Sequence, residues 1–133
     1  MAAGGYPPVA DDMFNTHDLG KGVRLHALRD PRFKTVLFQA AARVPLDGRV
    51  TVNALLPPAL HRGFGRFPDL RAATCEAEDL YGAGWGSDVR KAGDVHVLSW
   101  NIRFLDPAAA PSLPGYLDRC LAFLLDFMGG PAG

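Results

Sequence analysis

Val95-His96-Val97-Leu98-Ser99-Trp100-Asn101-Ile102-Arg103-Phe104-Leu105 decides the fold class. Leu98, Trp100, Ile102 and Phe104 recur every second residue, which is the period of a β-strand with one bulky face. Such a strand needs a sheet around it and a layer over that face. Two earlier stretches repeat the pattern. Val23, Leu25 and Ala27 alternate with Arg24 and His26. From Thr35 to Val44, the side chains of Val36, Phe38, Ala40, Ala42 and Val44 share one face, with Gln39 and Arg43 on the other. Asp30-Pro31-Arg32 and Lys91-Ala92-Gly93-Asp94 carry turn signals between strands. Gly84 to Arg90 is Gly-rich and only weakly strand-like.

Helical spacing supplies the covering layer. Tyr116 to Met128 is strongly amphipathic: Leu117, Leu121, Leu124 and Met128 form one stripe, with Tyr116, Cys120, Phe123 and Phe127 beside it. Asp69 suits an N-cap for a helix carrying Leu70, Ala73, Ala77, Leu80 and Tyr81, closed by Gly82. Val52, Leu55, Leu56, Ala59 and Leu60 follow helical spacing too, but Pro57 and Pro58 interrupt them. Each proline removes a backbone donor and crowds the preceding turn, so a kink or a helix restarted at Pro57 is expected. Gly63 is expected to cap its end. The order ββααββα predicts an α+β fold: a mainly antiparallel sheet of about four strands, with three helices on one face. Residues 1–13 read as a flexible tail, and 14–133 as a single domain.

Fourteen basic and fourteen acidic residues leave a formal net charge of zero, which gives no electrostatic basis for nucleic-acid or anionic-membrane capture. The apolar run Leu121–Leu125 is too short to span a bilayer, and the first residues lack the pattern of a secretory signal. Cys75 and Cys120 sit in helical patterns, where reduced, buried thiols are expected. These features predict a cytoplasmic protein.

Gly22-Val23-Arg24-Leu25, Lys34-Thr35-Val36-Leu37-Phe38, Leu55-Leu56-Pro57, Arg66-Phe67-Pro68-Asp69, Leu80-Tyr81-Gly82-Ala83 and Val95–Trp100 follow one another in an order with a family parallel. The series, from Phe14 to Pro131, resembles the amino-terminal part of a domain of the pitrilysin, insulysin and mitochondrial processing peptidase family. The resemblance is to the bacterial branch that lacks the metal site. It implies a peptidase-like domain of which this chain holds only a part.

That family's zinc peptidases use an inverted motif, H-x-x-E-H, on a helix: two histidines bind zinc and the glutamate activates its water. The resemblance places Ala54 and Pro58 at the two histidine positions and Pro57 at the glutamate position. None of these side chains ligates a metal or accepts a proton. The family's third ligand is a later Glu, which the resemblance places near or beyond the end of this chain, and no Glu follows Glu78. No H-x-x-E-H occurs elsewhere in the chain. Catalytic residues, a metal site and a cofactor are therefore not expected.

Other candidates carry little chemistry. His61 fits a helix end, His26 and His96 fall on strands, and His17 lies near the tail; none has ligand spacing to a carboxylate or thiol. Gly82-Ala83-Gly84-Trp85-Gly86 is not a phosphate-binding loop, since G-x-x-x-x-G-K-[ST] is missing. The resemblance offers another use for this segment. It corresponds to a strand on which peptides align, making Gly84, Trp85, Gly86 and Ser87 peptide-binding candidates. Glycines there would let a second backbone approach, although a twisted hairpin uses them equally well.

The leading expectation is a non-catalytic, peptidase-like domain acting as a structural or peptide-binding partner of an active zinc-peptidase homologue. A homodimer through a strand edge or the helix Tyr116–Met128 is also expected. Two alternatives are a metallopeptidase fragment whose catalytic residues lie elsewhere and a stand-alone interaction module. A further one is an enzyme with chemistry relocated to Cys75 or a histidine.

Overall fold

The computed structural model describes residues 14–109 and 112–130, so the tail expected over 1–13 lies outside the described residues. The chain divides into two compact units, Met1–Phe33 and Lys34–Gly133.

In the first unit, β1 (Asn15–Gly20) and β2 (Val23–Ala27) form an antiparallel hairpin around Lys21-Gly22. Gly20, Lys21 and Gly22 all have positive φ, at 82°, 54° and 79°. Such angles suit the primed turns that match strand twist. β1 escaped the sequence reading because Asn-Thr-His-Asp-Leu-Gly has no β-branched alternation. Every residue of both strands is exposed.

The second unit contains β3 (Thr35–Pro45), α1 (Val50–Ala54), α2 (Leu56–Leu60), α3 (Leu70–Asp79), β4 (Gly84–Ala92), β5 (Val95–Leu105) and α4 (Tyr116–Met128). The α+β expectation holds, with a difference in the sheet. Val23–Ala27 pairs with β1, so the larger sheet has three antiparallel strands in the order β3-β5-β4. β5 is its centre. Val36 lies opposite Phe104, Phe38 opposite Ile102, and Trp85 also opposite Ile102. The weak Gly84–Arg90 signal turns out to be a full nine-residue strand, extended by the Gly93-Asp94 turn.

Helices cover the end of the sheet that carries Ile102 and Phe104. α4 buries Tyr116, Cys120, Phe123, Leu124 and Phe127. The expected stripe is thus rotated: Leu117 and Met128 are exposed and Leu121 only half-buried. The three aromatic side chains, Tyr116, Phe123 and Phe127, fill more of the space beneath the helix than leucine can, so they win the inner face. Asp69 caps α3 as expected, its Oδ1 accepting from the Ala72 N–H at 2.8 Å. Tyr116 ties three elements together. Its hydroxyl donates to the Leu80 carbonyl at 3.0 Å and accepts from the Leu105 N–H at 3.0 Å.

The centre of the core is a cluster that sequence periodicity did not single out. Phe64 and Phe67 flank a two-residue Gly65-Arg66 turn, bonded in both directions: Phe64 N–H to Phe67 O at 3.0 Å and Phe67 N–H to Phe64 O at 2.8 Å. The turn drives both rings inward against Phe123. Arg66 spans outward to Asp126 at 3.0 Å, and Arg119 reaches Glu76 at 3.1 Å, pinning turn, α3 and α4 at the surface. Such partly exposed pairs add little stability each.

Candidate functional site

An inverted zinc motif needs one continuous helix, so that residues at i, i+3 and i+4 project from one side. Here the helix breaks at Leu55. Ala54 ends α1, while Pro57 and Pro58 lie in the first turn of α2. The break follows from the prolines. In the first turn of a helix the N–H groups have no intrahelical acceptor, so both rings sit there at no hydrogen-bond cost. Continuing α1 through them would lose two bonds. The sequence expectation of a restarted helix is met, with the restart at Leu56.

Among the described residues, no three His, Cys, Asp or Glu side chains come close enough to hold a metal ion. The four histidines are dispersed. His17 is on β1 and His26 on β2, where its Nδ1 lies 2.9 Å from Thr16 Oγ1. His61 caps α2, exposed, with its ring centroid 6.1 Å from Trp85. His96 is buried on the inner face of β5, opposite Val44 and Lys91.

The two thiols differ from expectation and from each other. Cys120 is fully buried, and burial pushes its thiol above the usual range, opposed by a hydrogen bond with Tyr116. Cys75 is exposed, which corrects the expectation that both are buried. Ala73 and Ala77 define the inner face of α3, and Cys75 lies on the other side of the helix between them. It lines a shallow depression with Leu70, Arg71, Thr74, Glu78 and Asp79, where no histidine is present to activate it. In the native protein a thiol reagent should label Cys75 alone, with Cys120 reacting only on unfolding. Equal labelling of both under native conditions would contradict the packing of α4.

The peptide-binding candidates divide by strand parity. Trp85 points to the core and is half-buried, its ring edge-on to Phe64 at 5.2 Å, Phe123 at 5.6 Å and Phe127 at 5.2 Å. It forms the wall of the core beside α2 rather than an exposed platform. Gly84 and Gly86 fall on the opposite face of β4, and Ser87 on the inner face opposite Trp100. A Cβ at Gly84 would meet nothing within 4 Å, and one at Gly86 only the Asn101 amide at 3.8 Å. So these glycines leave the outer face of the edge strand open. What the arrangement offers chemically is an edge strand, β4, with no further strand paired to it among the described residues, beside the short helix α2.

No protein-family model matches the chain. Over 113 residues it is 28% identical to a protein of Bacillus subtilis (strain 168) described as a probable inactive metalloprotease, YmfF; the match covers 84% of this chain and 26% of that protein. A solved structure, described as a conserved protein from Enterococcus faecalis V583, shares the fold with a TM-score of 0.81 at 22% identity, over 90% of this chain and 28% of that one. The chain therefore spans about a quarter of the length of the proteins it matches. No helix among the described residues is long and apolar enough to cross a membrane. The likeness to a protein described as an inactive metalloprotease supports a non-catalytic, peptidase-like protein.

Proposed function

We propose that this chain is a peptidase-like element of the pitrilysin type that has lost its chemistry and kept a place for an extended polypeptide. In this reading it serves as a structural or peptide-binding partner of an active zinc-bearing homologue. The observation that carries it is the pairing of two features. The would-be motif helix is broken and donorless at Leu55-Leu56-Pro57-Pro58, and the strand beside it, β4, ends the sheet with no further strand paired to it among the described residues. Strand addition draws affinity from main-chain hydrogen bonds and needs no catalytic residue.

The test has two arms. A library of random decapeptides should be retained by the immobilised chain and lost with Val89→Pro, which removes a donor at the centre of the free edge. Retention unchanged by Val89→Pro would exclude strand addition at β4. In the second arm, Ala54→His, Pro57→Glu and Pro58→His together should give no zinc-dependent peptide cleavage, because two histidines and a glutamate on one helix still lack the supporting residues that orient metal ligands. Robust cleavage by that triple variant would show that the chain retains a latent metal site.

A further inference from the structure

The register of β4 fixes which of its backbone groups face outward. Gly93-Asp94 is a two-residue turn closing on the pair Ala92–Val95. Residues that flank such a turn exchange both hydrogen bonds, and hydrogen-bonded pairs then alternate along the ladder. Ala92, Arg90, Asp88, Gly86 and Gly84 thus direct their N–H and C=O groups at β5. The Asp88 carbonyl, consistently, accepts from Ser99 Oγ at 3.5 Å. Trp85, Ser87, Val89 and Lys91 direct theirs at the free edge. The side chains of Asp88 and Arg90 project from the outer face of the sheet, away from the core, and Gly84 and Gly86 lie on that same face.

We propose that the segment seated on this edge is β4 of a second copy of the chain, antiparallel about a two-fold axis at Val89. The proposal rests on reading β4 as a strand-accepting edge and names the occupant. Charge selects the register. Pairing centred on Asp88 sets Asp88 against its own copy, and pairing centred on Arg90 sets arginine against arginine; like charges directly opposite are unfavourable. Centring on Ser87 places both charges opposite glycines. Centring on Val89 sets Asp88 opposite the second copy's Arg90 and Arg90 opposite the second copy's Asp88. These fall at non-hydrogen-bonded positions, where side chains on facing strands approach most closely. Ser87 and Lys91 meet in the neighbouring hydrogen-bonded pairs. Among the described residues, no ion pair within the chain engages Asp88 or Arg90. The outcome is a closed, isologous dimer with a continuous sheet ordered β3-β5-β4-β4-β5-β3. It removes an exposed strand edge, which soluble proteins otherwise block by other means.

Sedimentation equilibrium at high-micromolar concentration tests this. Wild type should sediment at twice the 14.3 kDa chain mass. D88R faces arginine with arginine and R90D faces aspartate with aspartate, so each should weaken the dimer about tenfold or more. Mixing the two variants in equal amounts sets a chain with two arginines against one with two aspartates and should restore the dimer. The double variant D88R/R90D should restore it too. These surface changes leave the core untouched, so loss and rescue report pairing rather than folding. A monomeric wild type, or D88R dimerising like wild type, overturns the proposal. If wild type is monomeric while Val89→Pro still abolishes decapeptide retention, the dimer falls and the strand-accepting edge stands. If dimer and decapeptide retention both survive Val89→Pro, both fall.

Discussion

Phe64→Ala should lower the free energy of unfolding by about 3–5 kcal/mol, the range for removing a fully buried phenylalanine. Phe64 has no exposed surface. Its ring packs against Phe67 at 5.3 Å, Trp85 at 5.2 Å, Phe123 at 5.4 Å and Phe127 at 4.8 Å between centroids. Those partners come from the loop after α2, from β4 and from α4. Truncation therefore opens a cavity where no single element can relax to fill it. Leu125, 67% exposed on the same helix as Phe123, provides the contrast: Leu125→Ala should stay within about 0.5 kcal/mol of wild type. Urea denaturation of both variants decides this. Equal, small losses would mean that the aromatic cluster is not the core of the domain.

Gly63→Ala should be nearly as damaging, by a different route. Gly63 has φ 132°, a region that residues with a Cβ rarely adopt. A Cβ there would also stand 2.6 Å from the Pro68 carbonyl oxygen and 2.7 Å from that of Phe67. Both obstacles are backbone held by the Phe64–Phe67 turn, so neither swings aside. Backbone strain and overpacking each cost about 1–3 kcal/mol, which puts the loss at roughly 2–6 kcal/mol. Gly82→Ala has positive φ but open space, and should cost less than Gly63→Ala. Loss of stability at Gly82 equal to that at Gly63 would remove the close approach as the cause.

The legible parts of this fold were those where one face dominates. β5 has four bulky residues in alternation, and its inward face follows from that. The Asp69 cap and the break before Pro57 were equally legible, because each rests on local backbone chemistry that tertiary packing does not override. Phe64 and Phe67 were not. They belong to a turn with neither a period of 2 nor of 3.6, and only Gly-Arg between two phenylalanines hinted that both rings fold to one side. The orientation of α4 was misjudged for a related reason. That helix is apolar on more than one side, so periodicity alone could not choose between the leucine stripe and the aromatic one. β4 was faint because Gly84 and Gly86 contribute no side chains, and its pairing came from β5 instead. As for the candidate site, the chemistry of Ala54, Pro57 and Pro58, which offer no metal donor, is plain in the sequence. The inward turn of Trp85 could not, since it depends on which way a nine-residue strand faces the aromatic cluster.

Zinc content after equilibrium dialysis tests the loss of the metal site most directly. The chain should be dialysed against buffered micromolar zinc, then against buffer without zinc, and the metal measured by elemental analysis per mole of protein. Dispersed histidines, and the absence among the described residues of any three His, Cys, Asp or Glu side chains close enough to share a metal ion, predict far less than one zinc per chain, with no difference between wild type and Cys75→Ser. One tightly held zinc per chain, released only by a strong chelator, would contradict the account.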